Sequence, residues 1–189
     1  QWSAHGSSDP QAPLAAIDVS LWRELAGRAI EPNGYYLPEW EMAVNAFAPG
    51  RGGASMLAAW GDGLPPRLIG LMPVVSLWRT YRIPLPALVS AHPYGTLCTP
   101  PLDRDLAWVA VARLLQQARQ AGARALILRD ISLDGAAMKA IADALRTDGL
   151  RPRVLQSGLR ACLDATRDGD QLLHDALGAK KLRELRRQR

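Results

Sequence analysis

A chain of 189 residues with 48% apolar and 22% charged side chains can bury a full core, and this mix excludes a disordered or low-complexity protein. No apolar run reaches bilayer length, and the first twenty residues have neither a basic start nor a continuous apolar stretch, so the expectation is a cytoplasmic protein with no transmembrane segment or export signal. Its net charge of +5 resides in residues 180–189, where six basic side chains oppose Glu184 alone; the rest carries no basic stripe, nucleic acid is not an expected partner of the body, and anion binding is confined to Lys180, Lys181 and Arg183.

Residues 1–13 mix Ser, Gly, Pro and Ala without period and read as a flexible lead. The run 14–19 reads as a first strand, with Ser20 as N-cap of a short helix ending near Ala29. Glu31-Pro32-Asn33-Gly34 is a turn. Pro38 opens a second helix whose apolar spacing runs through Trp40, Ala43, Val44 and Phe47. A hairpin follows, Ser55–Trp60 and 67–78 around a Gly/Pro turn, then a loop over 80–86 and a strand from Ala87–Ser90.

A proline-rich segment, 92–102, leads into the clearest helix, with Trp108, Val111, Ala112, Leu115 and Ala118 on one face and Gly122 at its end. A strand over 125–128 precedes a helix through Met138, Ile141, Ala142 and Leu145 that closes at Gly149; strands over 153–156 and 159–163 complete the pattern. Beyond them a basic helix is expected to break or change partner near Gly178. The Gln at position 1 and the helical end without a stop signal read as arbitrary boundaries.

The element order is β, α, α, β, β, β, α, β, α, β, β, an α/β pattern with a mixed sheet and helices on both faces. Two segments carry more: Glu31-Pro32-Asn33 with Leu37-Pro38-Glu39-Trp40, and Leu177-Gly178-Ala179-Lys180-Lys181-Leu182-Arg183-Glu184-Leu185-Arg186-Arg187-Gln188-Arg189. With His92-Pro93-Tyr94-Gly95 and Thr99-Pro100-Pro101-Leu102-Asp103, they resemble GNAT acetyltransferases of the CelD type, linked with bacterial cellulose biosynthesis, from about residue 20 onward. In these proteins, and in the related Fem-like transferases, two GNAT domains stand in tandem. The resemblance implies that residues 14–165 form the first GNAT-like domain and that 166–189 is a basic helix leading into a second. It further implies transfer from acetyl-CoA or another acyl-CoA to an amine or hydroxyl of a sugar or polysaccharide precursor, with aminoacyl-tRNA as the donor used by the Fem-like relatives.

A GNAT fold holds the CoA pyrophosphate on backbone N–H groups where a helix starts after the fourth strand. Here the usual Arg/Gln-x-x-Gly-x-Gly/Ala loop is replaced by Leu97-Cys98-Thr99-Pro100-Pro101-Leu102-Asp103-Arg104-Asp105, with two prolines that lack N–H and two acids that repel phosphate. The donor is therefore expected mainly in the second half, and this fragment alone is expected to be inactive.

His92 and Tyr94 have the proton chemistry of a general base and a general acid; the alternative is a loop histidine fixed by Pro93 and a tyrosine at its edge. Asn33, Tyr35, Tyr36 and Trp40 offer flat surface and polar edges to an acceptor, or else supply core and rim. Nothing has the spacing of a covalent nucleophile, and His5, His92 and His174 are isolated from any second metal ligand. Cys98 and Cys162 read as reduced packing thiols. A different class of function stays open: a noncatalytic module whose basic helix docks RNA, a membrane or a partner subunit.

Overall fold

The computed structural model describes residues 12–48, 54–91, 94–160 and 168–187. Their contacts divide the chain into two units, Gln1–Pro152 and Arg153–Arg189. The first is α/β, an open mixed sheet with strands β1 (Ala12–Pro13), β2 (Ser55–Trp60), β3 (Leu68–Ser76), β4 (Ala87–Ser90) and β5 (Ala125–Ile127) in that spatial order. β1 to β4 pair antiparallel, and β4 runs parallel to β5. A parallel neighbour needs a crossover, here α4 (Ala107–Gln120). The other helices of this unit are α1 (Val19–Gly27), α2 (Pro38–Phe47), the short α3 (Leu77–Tyr81) and α5 (Ala136–Thr147).

β2 shows how one strand serves two layers. Leu57 and Ala59 face the core shared with α4 and α5, while Met56 and Ala58 face Trp22 and Leu25 of α1. A bulge between Ala59 and Trp60 shifts the pairing with β3. Gly70, just past it, sits so near α4 that a Cβ there would stand 3.0 Å from that of Ala110 and 3.3 Å from that of Ala59. This close approach explains the small residue at Ala110 on the buried face of α4; α4 and α5 pack together, with Ala137, Ala140 and Ala144 buried on α5.

Several expected boundaries move for local reasons. The run 14–19 is not a strand: after β1 comes a single 3₁₀ turn, Leu14–Ala16, and Asp18 caps α1 in place of Ser20 by accepting the Ser20 N–H at 2.7 Å. β3 stops at Ser76, whose Oγ accepts the Arg79 N–H and starts α3. On α4 the buried stripe is Ala107, Ala110, Val111, Leu114 and Ala118, leaving Trp108 exposed. On α2 it is Pro38, Glu41 and Val44, leaving Phe47 exposed.

The second unit holds α6 (Gly169–Arg187), broken at Gly178, whose φ of 70° and ψ of 159° are not helical. The break expected there is present. The strand expected over 153–156 is not: residues 150–160 contain no strand, and Val154 and Leu155 are exposed. Strand propensity needs a partner surface to be realised, and those side chains find none among the described residues. Of the last expected strand, positions 161–163 lie outside the described residues, as do Cys162 and His5.

Candidate functional site

The site begins with a missing hydrogen-bond donor. In β3, Pro73 has no N–H, and its carbonyl accepts the Ala91 N–H at 2.9 Å, so the absent donor faces the strand alongside. There the neighbouring chain leaves the ladder. It rejoins further along β3, where Leu71 N–H donates to Pro101 O at 3.1 Å and Asp103 N–H to Ile69 O at 2.8 Å. Residues 94–99 thus form an excursion between the stretch that pairs with β3 up to Ala91 and the stretch that pairs with it again at Leu102.

β5 parts from β4 at the same level. Beyond the Val89 and Ile127 pair, the Arg129 N–H turns to Ser90 Oγ at 3.0 Å, and the Cys98 N–H donates to Asp130 O at 3.0 Å. The excursion is wedged where the parallel strands separate, at their carboxyl ends, the place where open α/β sheets form ligand crevices.

Residues 28–36, between α1 and α2, strap this excursion down. Tyr36 Oη donates to Ala91 O at 3.2 Å, at the point of departure. Asn33 Nδ2 donates to Leu97 O at 3.2 Å and to Thr99 O at 2.8 Å, at the return, while its Oδ1 accepts the Tyr35 N–H at 3.0 Å. Ile30 N–H donates to Leu102 O at 2.8 Å. Arg28 reaches the buried Asp103 through Nε at 2.6 Å, and Arg67 binds the same carboxylate.

This geometry sorts the expected site residues. Asn33 and Tyr36 are buried, and their hydrogen-bonding atoms serve the loop. Tyr35 and Trp40 reach the surface together, as a T-shaped pair with ring centroids 5.4 Å apart. Thr96 Oγ1 donates to Tyr35 Oη at 3.3 Å, which ties the pair to the excursion, and Tyr94 stands two residues away with 59% of its surface exposed. His92 lies outside the described residues. Lys180, Lys181 and Arg183 belong to α6 in the second unit, where all three are exposed.

Sequence reasoning missed three supports. Glu31 Oε1 accepts the Ala137 N–H at 3.0 Å, in the first turn of α5. Glu41 is a buried carboxylate on α2. Asp103, read as a repelling charge, is fully buried; burial raises its pKa, but hydrogen bonds from Arg28, the Asp105 N–H and Arg67 outweigh that and hold it below the usual carboxylate value. One signal was available, because Asp103 is the first acidic residue after Asp62. Cys98 is a buried thiol, pushed up to about 11 chiefly by burial, and so stays protonated at neutral pH.

Ahead of α4, Pro100 and Pro101 have no N–H to offer, and four of the N–H groups that follow are already used: Asp103 to Ile69 O, Arg104 to Arg28 O, Asp105 to Asp103 Oδ1 and Leu106 to Asp103 O. Among the described residues no group of His, Cys, Asp or Glu could hold a metal ion, and no helix is long and apolar enough to cross a membrane. Comparison with known protein families, curated proteins and solved structures finds no match to this chain.

Proposed function

We propose that this chain is the acceptor-side half of a GNAT-type acyltransferase, with acetyl-CoA or another acyl-CoA held mainly by a second GNAT domain and an amine or hydroxyl of a sugar or polysaccharide precursor as acceptor. The observation that carries the reading is the excursion 94–99, set where β4 and β5 separate, with exposed Tyr94 in it and the half-buried Tyr35 and exposed Trp40 beside it. Flat aromatic faces with polar edges suit the apolar face of a sugar ring. Pro100 and Pro101 and the committed N–H groups of residues 103–106, in the loop ahead of α4, support a donor site elsewhere. In this reading His92 takes the proton from the attacking amine and Tyr94 supplies one to the leaving thiolate.

Tryptophan fluorescence tests the acceptor half. Amino-sugar oligosaccharides titrated into the chain are expected to shift its emission, and Trp40→Ala is expected to remove the shift. Unchanged emission in the parent, or an identical shift in the variant, contradicts the assignment. In the protein carrying both domains, His92→Ala with Tyr94→Phe is expected to lower acyl transfer at least a hundredfold; full activity removes these two roles.

A further inference from the structure

Every residue from 78 to 86 is exposed, and this segment contains four large apolar side chains: Trp78 (52%), Tyr81 (46%), Ile83 (42%) and Leu85 (57%). α3 turns only Leu77 inward, onto a small cluster with Ala87 and Val89. The charges carried by the segment have one sign. Arg79 and Arg82 lie within it, and Arg129 Nη1 donates to Tyr81 Oη at 3.3 Å. No Asp or Glu occurs between Asp62 and Asp103, and those two are themselves paired, with Arg113 and with Arg28 and Arg67. Among the described residues neither Arg79 nor Arg82 has a salt bridge, and Arg79 borders a cleft of 240 Å³ with Ser76, Pro86, Gly122 and Ala123.

Arg82 carries a second signal. It ends α3 in the left-handed conformation, φ 58° and ψ 23°, a position that favours glycine. An arginine held there keeps a guanidinium among the exposed aromatic and aliphatic groups at some conformational cost.

We propose that the segment 78–86 docks the protein on an anionic phospholipid surface. Trp78 and Tyr81 rest at headgroup level, Ile83 and Leu85 enter the acyl boundary, and Arg79 and Arg82 meet lipid phosphates, with the cleft beside Arg79 receiving a headgroup. A segment whose residues are exposed along its whole length, apart from the one cleft beside Arg79, suits a planar lipid surface better than an acidic peptide. Docking of this kind is peripheral, and it holds whether or not the acyltransferase reading does.

The test is co-sedimentation of the full chain with vesicles of phosphatidylcholine and phosphatidylglycerol, against pure phosphatidylcholine. The parent is expected to bind the mixed vesicles and to bind the neutral ones at least tenfold more weakly. Trp78→Ser with Leu85→Ser should weaken binding to mixed vesicles by about tenfold or more. Arg82→Gly should weaken it about fivefold while leaving thermal stability equal or higher, since glycine suits that backbone, so a folding defect cannot imitate the result. Changing Lys180, Lys181 and Arg183 together to Gln should leave most of the binding in place. A parent that ignores the mixed vesicles, segment variants that bind like the parent, loss of binding only in the tail variant, or preference for polyglutamate over vesicles would each overturn the proposal.

Discussion

Glu31 caps a helix that begins more than a hundred residues further along the chain: its Oε1 accepts the Ala137 N–H at 3.0 Å, and the glycine at 135 leaves room for that carboxylate. The interaction joins the strap between α1 and α2 to the first turn of α5, where a negative charge also complements the helix dipole. Glu31→Ala is expected to cost about 1 kcal/mol in chemical denaturation. Gly135→Ala, whose Cβ would occupy the space of the carboxylate, should cost a similar amount. The double variant should lose less than the sum, because both changes remove one cap; strict additivity would separate the two positions.

Tyr36 holds the backbone at Ala91, and Asn33 holds it at Leu97 and Thr99, on either side of the excursion. Asn33→Ala leaves the carbonyls of Leu97 and Thr99 without their donor and is expected to cost about 1–3 kcal/mol, and Tyr36→Phe about 1 kcal/mol. Both should raise hydrogen exchange in residues 94–99 more than in β2. Equal protection of the loop in parent and variants would show that the clamp does not restrain it.

Asp103 is buried but its partners Arg28 and Arg67 reach solvent, so Asp103→Asn is expected to destabilise by about 1–3 kcal/mol, by removing the charged acceptor they share. Its folded pKa lies below the unfolded carboxylate value of about 3.9, so its contribution is present above that pH and is lost as pH falls through the folded value. Urea midpoints of the parent should therefore fall in acid more steeply than those of the variant. Parallel curves would remove the linkage.

Burial of Cys98 works in the opposite pH range. Its pKa is raised to about 11, so the protonated thiol stabilises the fold below the unfolded value of about 8.5, and this contribution is lost as pH rises toward 11. Between pH 8 and 11 the parent should lose more stability than Cys98→Ala. At pH 8 in the native state, alkylation of Cys98, located by peptide mass spectrometry, should be slow and should speed up on unfolding. Rapid native labelling would contradict the burial.

Strands β2 to β5, the crossover helix and the break at Gly178 were legible because apolar runs, turn residues and a central glycine are local signals, whereas the strands expected over 14–19 and 153–156 were not realised. Which face of a helix is buried was harder to read. On α4 the sequence favours Trp108 and Leu115, but the close approach at Gly70 selects Ala110 and Leu114. Of the site, Tyr35, Trp40 and Tyr94 were readable as aromatics near loops, either open to an acceptor or packed as core and rim, whereas the roles of Asn33, Tyr36 and Glu31 depend on partners 55 to 106 positions away. No local pattern encodes such contacts. Pro73 was the missed clue, a residue without a donor inside a central strand, marking where the next strand must leave.

The central claim is that this half receives the acceptor and lacks the donor site, and amide NMR of the chain titrated with acetyl-CoA and with an amino-sugar oligosaccharide tests it most directly. The saccharide is expected to move the resonances of Tyr35, Trp40, Tyr94 and Thr96, while acetyl-CoA leaves the amides of residues 103–108 in place. Saturable shifts of residues 103–108 with acetyl-CoA, or a saccharide that moves none of the four, would contradict the account.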